Sequence, residues 1–95
     1  MDGLDPTLTA PTRLHLMTLL AAVTEVEFAT LRDELAVSDS VLAKHVSALV
    51  EAGYVTSRKG VRAGRRTTWI GLTSTGRTAL RAHVSILRSL IAHIE

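Results

Sequence analysis

Ser40, Lys44 and Ser47 stand at i, i+4 and i+7, with Ala43 among them, which is the spacing of one helical face. Hydroxyls both donate and accept, and an ammonium donates three times, but a serine without a base beside it is a poor nucleophile. A row of short polar side chains around one cation therefore suits recognition rather than reaction. It lets a helix settle into a groove and reach base edges, with Lys44 placed to donate to guanine O6 or N7. Leu42, Val46 and Leu49 repeat the spacing on the opposite side and must face a core. Ser38 is an N-cap, Gly53 supplies the left-handed residue that ends the helix, and Tyr54 then folds back on Leu49.

The second chemistry is charge. Residues 1–53 hold three cations against eight carboxylates, a net of −5, whereas residues 54–95 hold eight against Glu95 alone, a net of +7. The overall +2 hides this asymmetry. A strongly basic half is the electrostatic footprint of a polyanion partner, because each neutralised phosphate releases counterions. Five of the cations, Arg58, Lys59, Arg62, Arg65 and Arg66, fall on a segment that reads as a hairpin. Arginines at a hairpin tip suit phosphates or a narrow minor groove.

Catalysis finds little support. The four histidines, His15, His45, His83 and His93, form no pattern of the His-Glu-x-x-His kind. His83 and His93, with Glu95 nearby, could meet across a dimer to hold a divalent metal, but ordinary interface or surface histidines are the favoured reading. No glycine-rich phosphate loop joins a strand to a helix, and no cofactor or metal is implied. Zero cysteines exclude a disulfide scaffold, thiolate metal sites and thiol switches. The longest apolar run is Leu19 to Val23, far short of a membrane span, and no signal segment opens the chain. A cytoplasmic protein is expected, with no membrane partner.

Several elements must position these groups. Pro11 opens a helix that runs to about Ala22, with Leu14, Met17 and Leu20 or Ala21 facing inward. Residues 25–28 supply a short strand. Phe28, Leu31 and Leu35 give a second helix ending at Ala36, and Val37-Ser38-Asp39 leaves room only for a tight turn before the polar helix. Two short helices so joined form a helix-turn-helix, the second placed for a major groove. Tyr54 to Lys59 and Thr67 to Leu72 are strands with Ile70 and Leu72 inward and Trp69 as a packing anchor. Residues 60–66 between them read as a flexible loop with two glycines. Thr73 caps a final helix from about Ser74 to Ile94. Leu80, Val84, Leu87, Ile91 and Ile94, widened by Ile86 and Leu90, form an apolar stripe on it. One small domain does not easily cover so broad a stripe, so this helix is expected to dimerise, aided by Leu4 and Leu8. The fold class is mainly α with a β-hairpin wing, a winged helix-turn-helix in the order α-β-α-α-β-β-α. It forms one domain over residues 1–95, with residues 1–10 as an N-terminal arm and 74–94 as the dimerisation helix.

In this order the segments Pro11-Thr-Arg-Leu14, Leu31-Arg-Asp-Glu-Leu35, residues 37–46, Leu49-Val-Glu-Ala-Gly-Tyr-Val55 and Leu72-Thr-Ser-Thr-Gly76 resemble the small winged helix-turn-helix bacterial transcription regulators of the MarR and ArsR type. The resemblance implies that Ser40, Val41, Ala43, Lys44 and Ser47 face DNA, with His45 at their margin and Arg62, Arg65 and Arg66 on the wing. Ser38 and Asp39, at the start of the same helix, complete the candidate set, Asp39 also favouring the positive end of the helix dipole. Such proteins usually work as dimers that repress transcription until a ligand or metal arrives. Double-stranded DNA and a second copy of the chain are the implied partners, and any small-molecule effector is unidentified. The chain departs from larger MarR-type proteins in having less flanking helix, and from metal-sensing ArsR-type proteins in lacking cysteine. The competing reading is a winged-helix protein-interaction module whose arginines are merely solvated.

Overall fold

The computed structural model describes residues 3–95. A 3-10 helix, Pro6–Leu8, precedes α1 (Pro11–Ala21), β1 (Val26–Glu27), α2 (Phe28–Leu35), α3 (Asp39–Glu51), β2 (Val55–Arg62), β3 (Arg65–Leu72) and α4 (Ser74–Ala92). The α-β-α-α-β-β-α order expected from the sequence is present, with a one-turn helix added in front.

Local chemistry sets the boundaries. The Ser38 hydroxyl accepts from the Val41 amide at 3.2 Å to start α3. Gly53, at φ 80°, lets the Tyr54 amide donate to the Leu49 carbonyl at 2.9 Å, closing the left-handed ending. Thr73 Oγ1 accepts from the Gly76 amide at 2.9 Å and donates to the Gly53 carbonyl at 2.7 Å, tying the start of α4 to the end of α3. Gly76 rests on the Tyr54 carbonyl so closely that a β-carbon would overlap it, so only glycine permits this approach.

The sheet order is β1-β3-β2, antiparallel throughout. Val55 pairs with Leu72 and the ladder continues unbroken to Arg62 opposite Arg65. Residues 60–66 are therefore not a flexible loop: the strands run to the tip and only Ala63-Gly64 turns. Both turn residues have positive φ, 52° and 78°, as a two-residue type I′ turn requires. Its twist matches that of the strands, which is why the ladder survives to its end.

The core comprises Leu8, Leu16, Met17, Leu20, Leu31, Leu42, Val46, Leu49, Val55, Ile70 and Leu80. Three expectations are corrected here. Residues 3–10 are not a free arm, because Leu8 is fully buried and Asp5 reaches both Tyr54 and His83; residues 1–2 of the expected arm lie outside the described residues. Leu80 belongs to the chain's own core, Val84 packs against it and Ile86 lies against Gly3, so the stripe left for a partner starts later, at Leu87. His83 is a buried interior histidine, 2% exposed, whose Nδ1 accepts from the Asp5 amide at 3.1 Å. That acceptor role, together with burial, removes it from any metal shared with His93, whose own Nδ1 lies 2.8 Å from the Ser89 carbonyl. α4 ends at Ala92, leaving His93 and Ile94 beyond it.

Candidate nucleic-acid interface

α2 and α3 meet through the short link at residues 36–38, where Ala36 takes a left-handed φ of 54°. Arg32 of α2 spans the turn by donating to Asp39 at 3.0 Å and also donates to Asp33 of its own helix at 3.0 Å. Asp39 is thus paired with Arg32, and Ser38 caps the helix. Leu42, Val46 and Leu49 anchor the inner face of α3 in the core. Ser40, Val41, Ala43, Lys44 and Ser47 are exposed on the other side. No ion pair involves Lys44 among the described residues.

His45 does not share that outer face. It is half-buried against α1, where its Nδ1 accepts from Arg13 Nε at 3.1 Å, and Arg13 Nη1 in turn donates to the Thr7 carbonyl at 3.3 Å. Burial holds the imidazole below its ordinary pKa, and the charges of Arg13 and Lys44 add to the effect. A neutral ring is the form this hydrogen bond needs.

The hairpin divides its five cations by face, since residues directly opposite in an antiparallel ladder point the same way. Lys59, opposite Thr68, and Arg66, opposite Val61, continue the side that carries Val55 and Ile70 into the core. Arg58, Arg62 and Arg65 lie on the other side with Trp69. There Arg58 donates to Glu25 through Nε and Nη2, both at 2.8 Å, and its guanidinium sits 5.7 Å from the Trp69 ring centre. Arg62 donates to Glu27, which also accepts from Thr67 Oγ1 at 3.3 Å. Hydrogen bonding by Arg58 and Arg62 respectively holds the Glu25 and Glu27 carboxyls below the usual carboxylate range, outweighing partial desolvation. Lys59, Arg65 and Arg66 have no ion pair among the described residues.

Sequence reasoning grouped the five cations together and missed Glu25, Glu27 and Arg13. The alternation Glu25-Val26-Glu27 marked two carboxylates on one strand face, but only the strand order shows which arginines they meet.

A core-anchored helix-turn-helix followed by a fully paired basic hairpin defines a winged helix, a fold that can offer one helix and one hairpin to the same ligand. The chain belongs to the winged helix DNA-binding domain family, whose model matches residues 12–91. This is a family of DNA-binding domains rather than of enzymes. An uncharacterised protein of Methanocaldococcus jannaschii is 32% identical over 83 residues, spanning 87% of this chain and 90% of that one. A transcriptional regulator homologue from Pyrococcus horikoshii superposes with a TM-score of 0.88 at 26% identity, over 94% of this chain and 88% of the other. The Mycobacterium tuberculosis regulator MosR, solved in complex with DNA, shares the fold with a TM-score of 0.74 at 21% identity, over 94% of this chain and 63% of MosR. The chain is a winged helix DNA-binding domain.

Proposed function

We propose that the protein is a dimeric, sequence-specific regulator that binds double-stranded DNA at an inverted repeat and represses transcription. The observation that carries this reading is the exposed row Ser40, Ala43, Lys44 and Ser47 on a helix locked to the core, beside a hairpin with three cations that are unpaired among the described residues. In a major groove the row meets base edges, and the hairpin meets phosphate or minor groove. MosR, of the same fold, was solved bound to DNA, which supports duplex DNA as the ligand. Dimerisation is supported by the last turns of α4, where Ile91 is 48% exposed and Leu87 and Leu90 are only half-buried. Repression asks least of such a chain, since occupancy of the duplex alone obstructs a polymerase. Access to DNA places its work in the cytoplasm.

Lys44→Ala tests the reading. Specific binding should weaken by about 1–3 kcal/mol, with relaxed preference at one base pair of each half-site. Parallel weakening on specific and random duplexes would make Lys44 a phosphate contact and remove base reading from α3.

A further inference from the structure

We propose that Glu25 and Glu27 compete with the DNA backbone for Arg58 and Arg62, and so limit how strongly the hairpin grips any duplex. The inference rests on the DNA-binding reading above and adds to it a pair of affinity-setting residues that do not touch the nucleic acid.

Register brings the four side chains together. Glu27 and Arg58 both stand opposite Trp69, from β1 and β2 respectively, so all three share one face. Glu25 lies two residues before Glu27 and meets Arg58; Arg62 lies four residues beyond Arg58 and meets Glu27. The carboxylates are the better anchored partners: the Glu25 and Glu27 side chains are 29% and 17% exposed, against 56% and 69% for the arginines. Arg58 is held at two nitrogens and lies against the Trp69 ring. Exposed ion pairs contribute little to folding stability, so stability alone does not account for two carboxylates, one on the two-residue β1 and one just before it.

Their effect on binding follows from charge. Counterion release depends on the net charge a protein brings to the phosphates, and a paired Arg and Glu bring none. If either arginine swings to a phosphate, it leaves a carboxylate facing the DNA without its partner, which opposes the exchange. Of five hairpin cations, only Lys59, Arg65 and Arg66 then act at full strength.

The test uses a random-sequence duplex, so no operator need be known. Wild type and the Glu25→Gln, Glu27→Gln double variant are titrated by fluorescence anisotropy across salt, with circular dichroism confirming that both are folded. Each freed arginine that reaches a phosphate should steepen the log-log salt slope by roughly 0.9. Between 50 and 200 mM salt the double variant should therefore lose about 12-fold more affinity than wild type, and it should bind more tightly at the low-salt end. Because the substitutions also remove negative charge, the comparison is repeated in an Arg58→Gln, Arg62→Gln background. There the gain should vanish, as coupling through those arginines requires. An unchanged slope in the double variant, or a gain that persists without the arginines, overturns the proposal. Failure of the wild type to bind any duplex at low salt would overturn the DNA-binding reading, and this inference with it; wild-type binding beside an unresponsive variant overturns this inference alone.

Discussion

Leu8→Ala should destabilise the protein severely, although the residue lies ahead of the first α-helix. Leu8 is fully buried at the end of the 3-10 helix, which is started by Asp5 accepting from the Thr7 amide at 2.9 Å. Asp5 is itself held on two sides, since its amide donates to His83 and its carboxylate accepts from the Tyr54 hydroxyl. That second bond, with burial and the Asp5 charge, keeps the tyrosine protonated above its ordinary range. The segment is therefore pinned to α4 and to Tyr54 just ahead of β2, and cannot readily collapse into a cavity left at Leu8. Truncating a fully buried leucine costs about 2–5 kcal/mol. A chain of 95 residues has a total stability on the order of 5–14 kcal/mol, so the loss is a large fraction. At roughly 5 °C per kcal/mol for a domain of this size, Tm should fall by about 10–25 °C. Calorimetry at matched protein concentration reads this directly, since a dimer's Tm depends on concentration. Thr9→Ala is the control: its exposed hydroxyl donates only to the Pro6 carbonyl, and the change should stay within about 0.5 kcal/mol. A Leu8→Ala shift no larger than that of the control would mean that residues 5–8 lie outside the cooperative unit.

Leu87→Glu, on the exposed end of α4, should yield monomers by light scattering and lose inverted-repeat affinity while keeping the helix-turn-helix folded; a mutant that stays dimeric would move the interface elsewhere. Ala63→Asn should stabilise the hairpin by about 0.5–1 kcal/mol, because asparagine tolerates the left-handed position that costs alanine; a lower Tm would contradict the turn geometry. For His45 the folded pKa lies below the unfolded one, so on acidification the unfolded chain takes up this proton first. Stability should then fall as pH drops through the mid-6s and level off below the folded pKa. His45→Gln, which can still accept from Arg13, should remove that component in urea titrations at pH 7.5 and 5.5, and an identical pH dependence in both proteins would discard the assignment.

What the sequence revealed and what it concealed divide along the range of the interactions. Ser38, Gly53 and Thr73 act on backbone within a few residues, and each caps its helix where local chemistry places it. Leu42, Val46 and Leu49 face the core because a periodic stripe has one buried side. The hairpin's length was less legible: two glycines, Gly60 and Gly64, compete for the turn, and charged residues at positions 62, 65 and 66 do not look like strand. Leu80 and His83 sit on the same helix as the outward stripe, and periodicity does not separate a residue covered by its own chain from one awaiting a second. Leu8 lacked any repeat to mark it, because a single turn has none. The Glu25 and Glu27 ion pairs span 33 and 35 residues and exist only because β1 joins β3 at the far edge from β2.

Selection of bound duplexes from a random-sequence library by the wild-type protein, followed by titration of the winners across salt, tests DNA reading by α3 and the hairpin most directly. The expected winner is an inverted repeat with half-site centres about 10 base pairs apart, or a multiple of that spacing. It should bind at least about 1,000-fold more tightly than random duplex and weaken steeply as salt rises. A library that emerges unenriched, or binding that does not respond to salt, would contradict a sequence-reading winged helix.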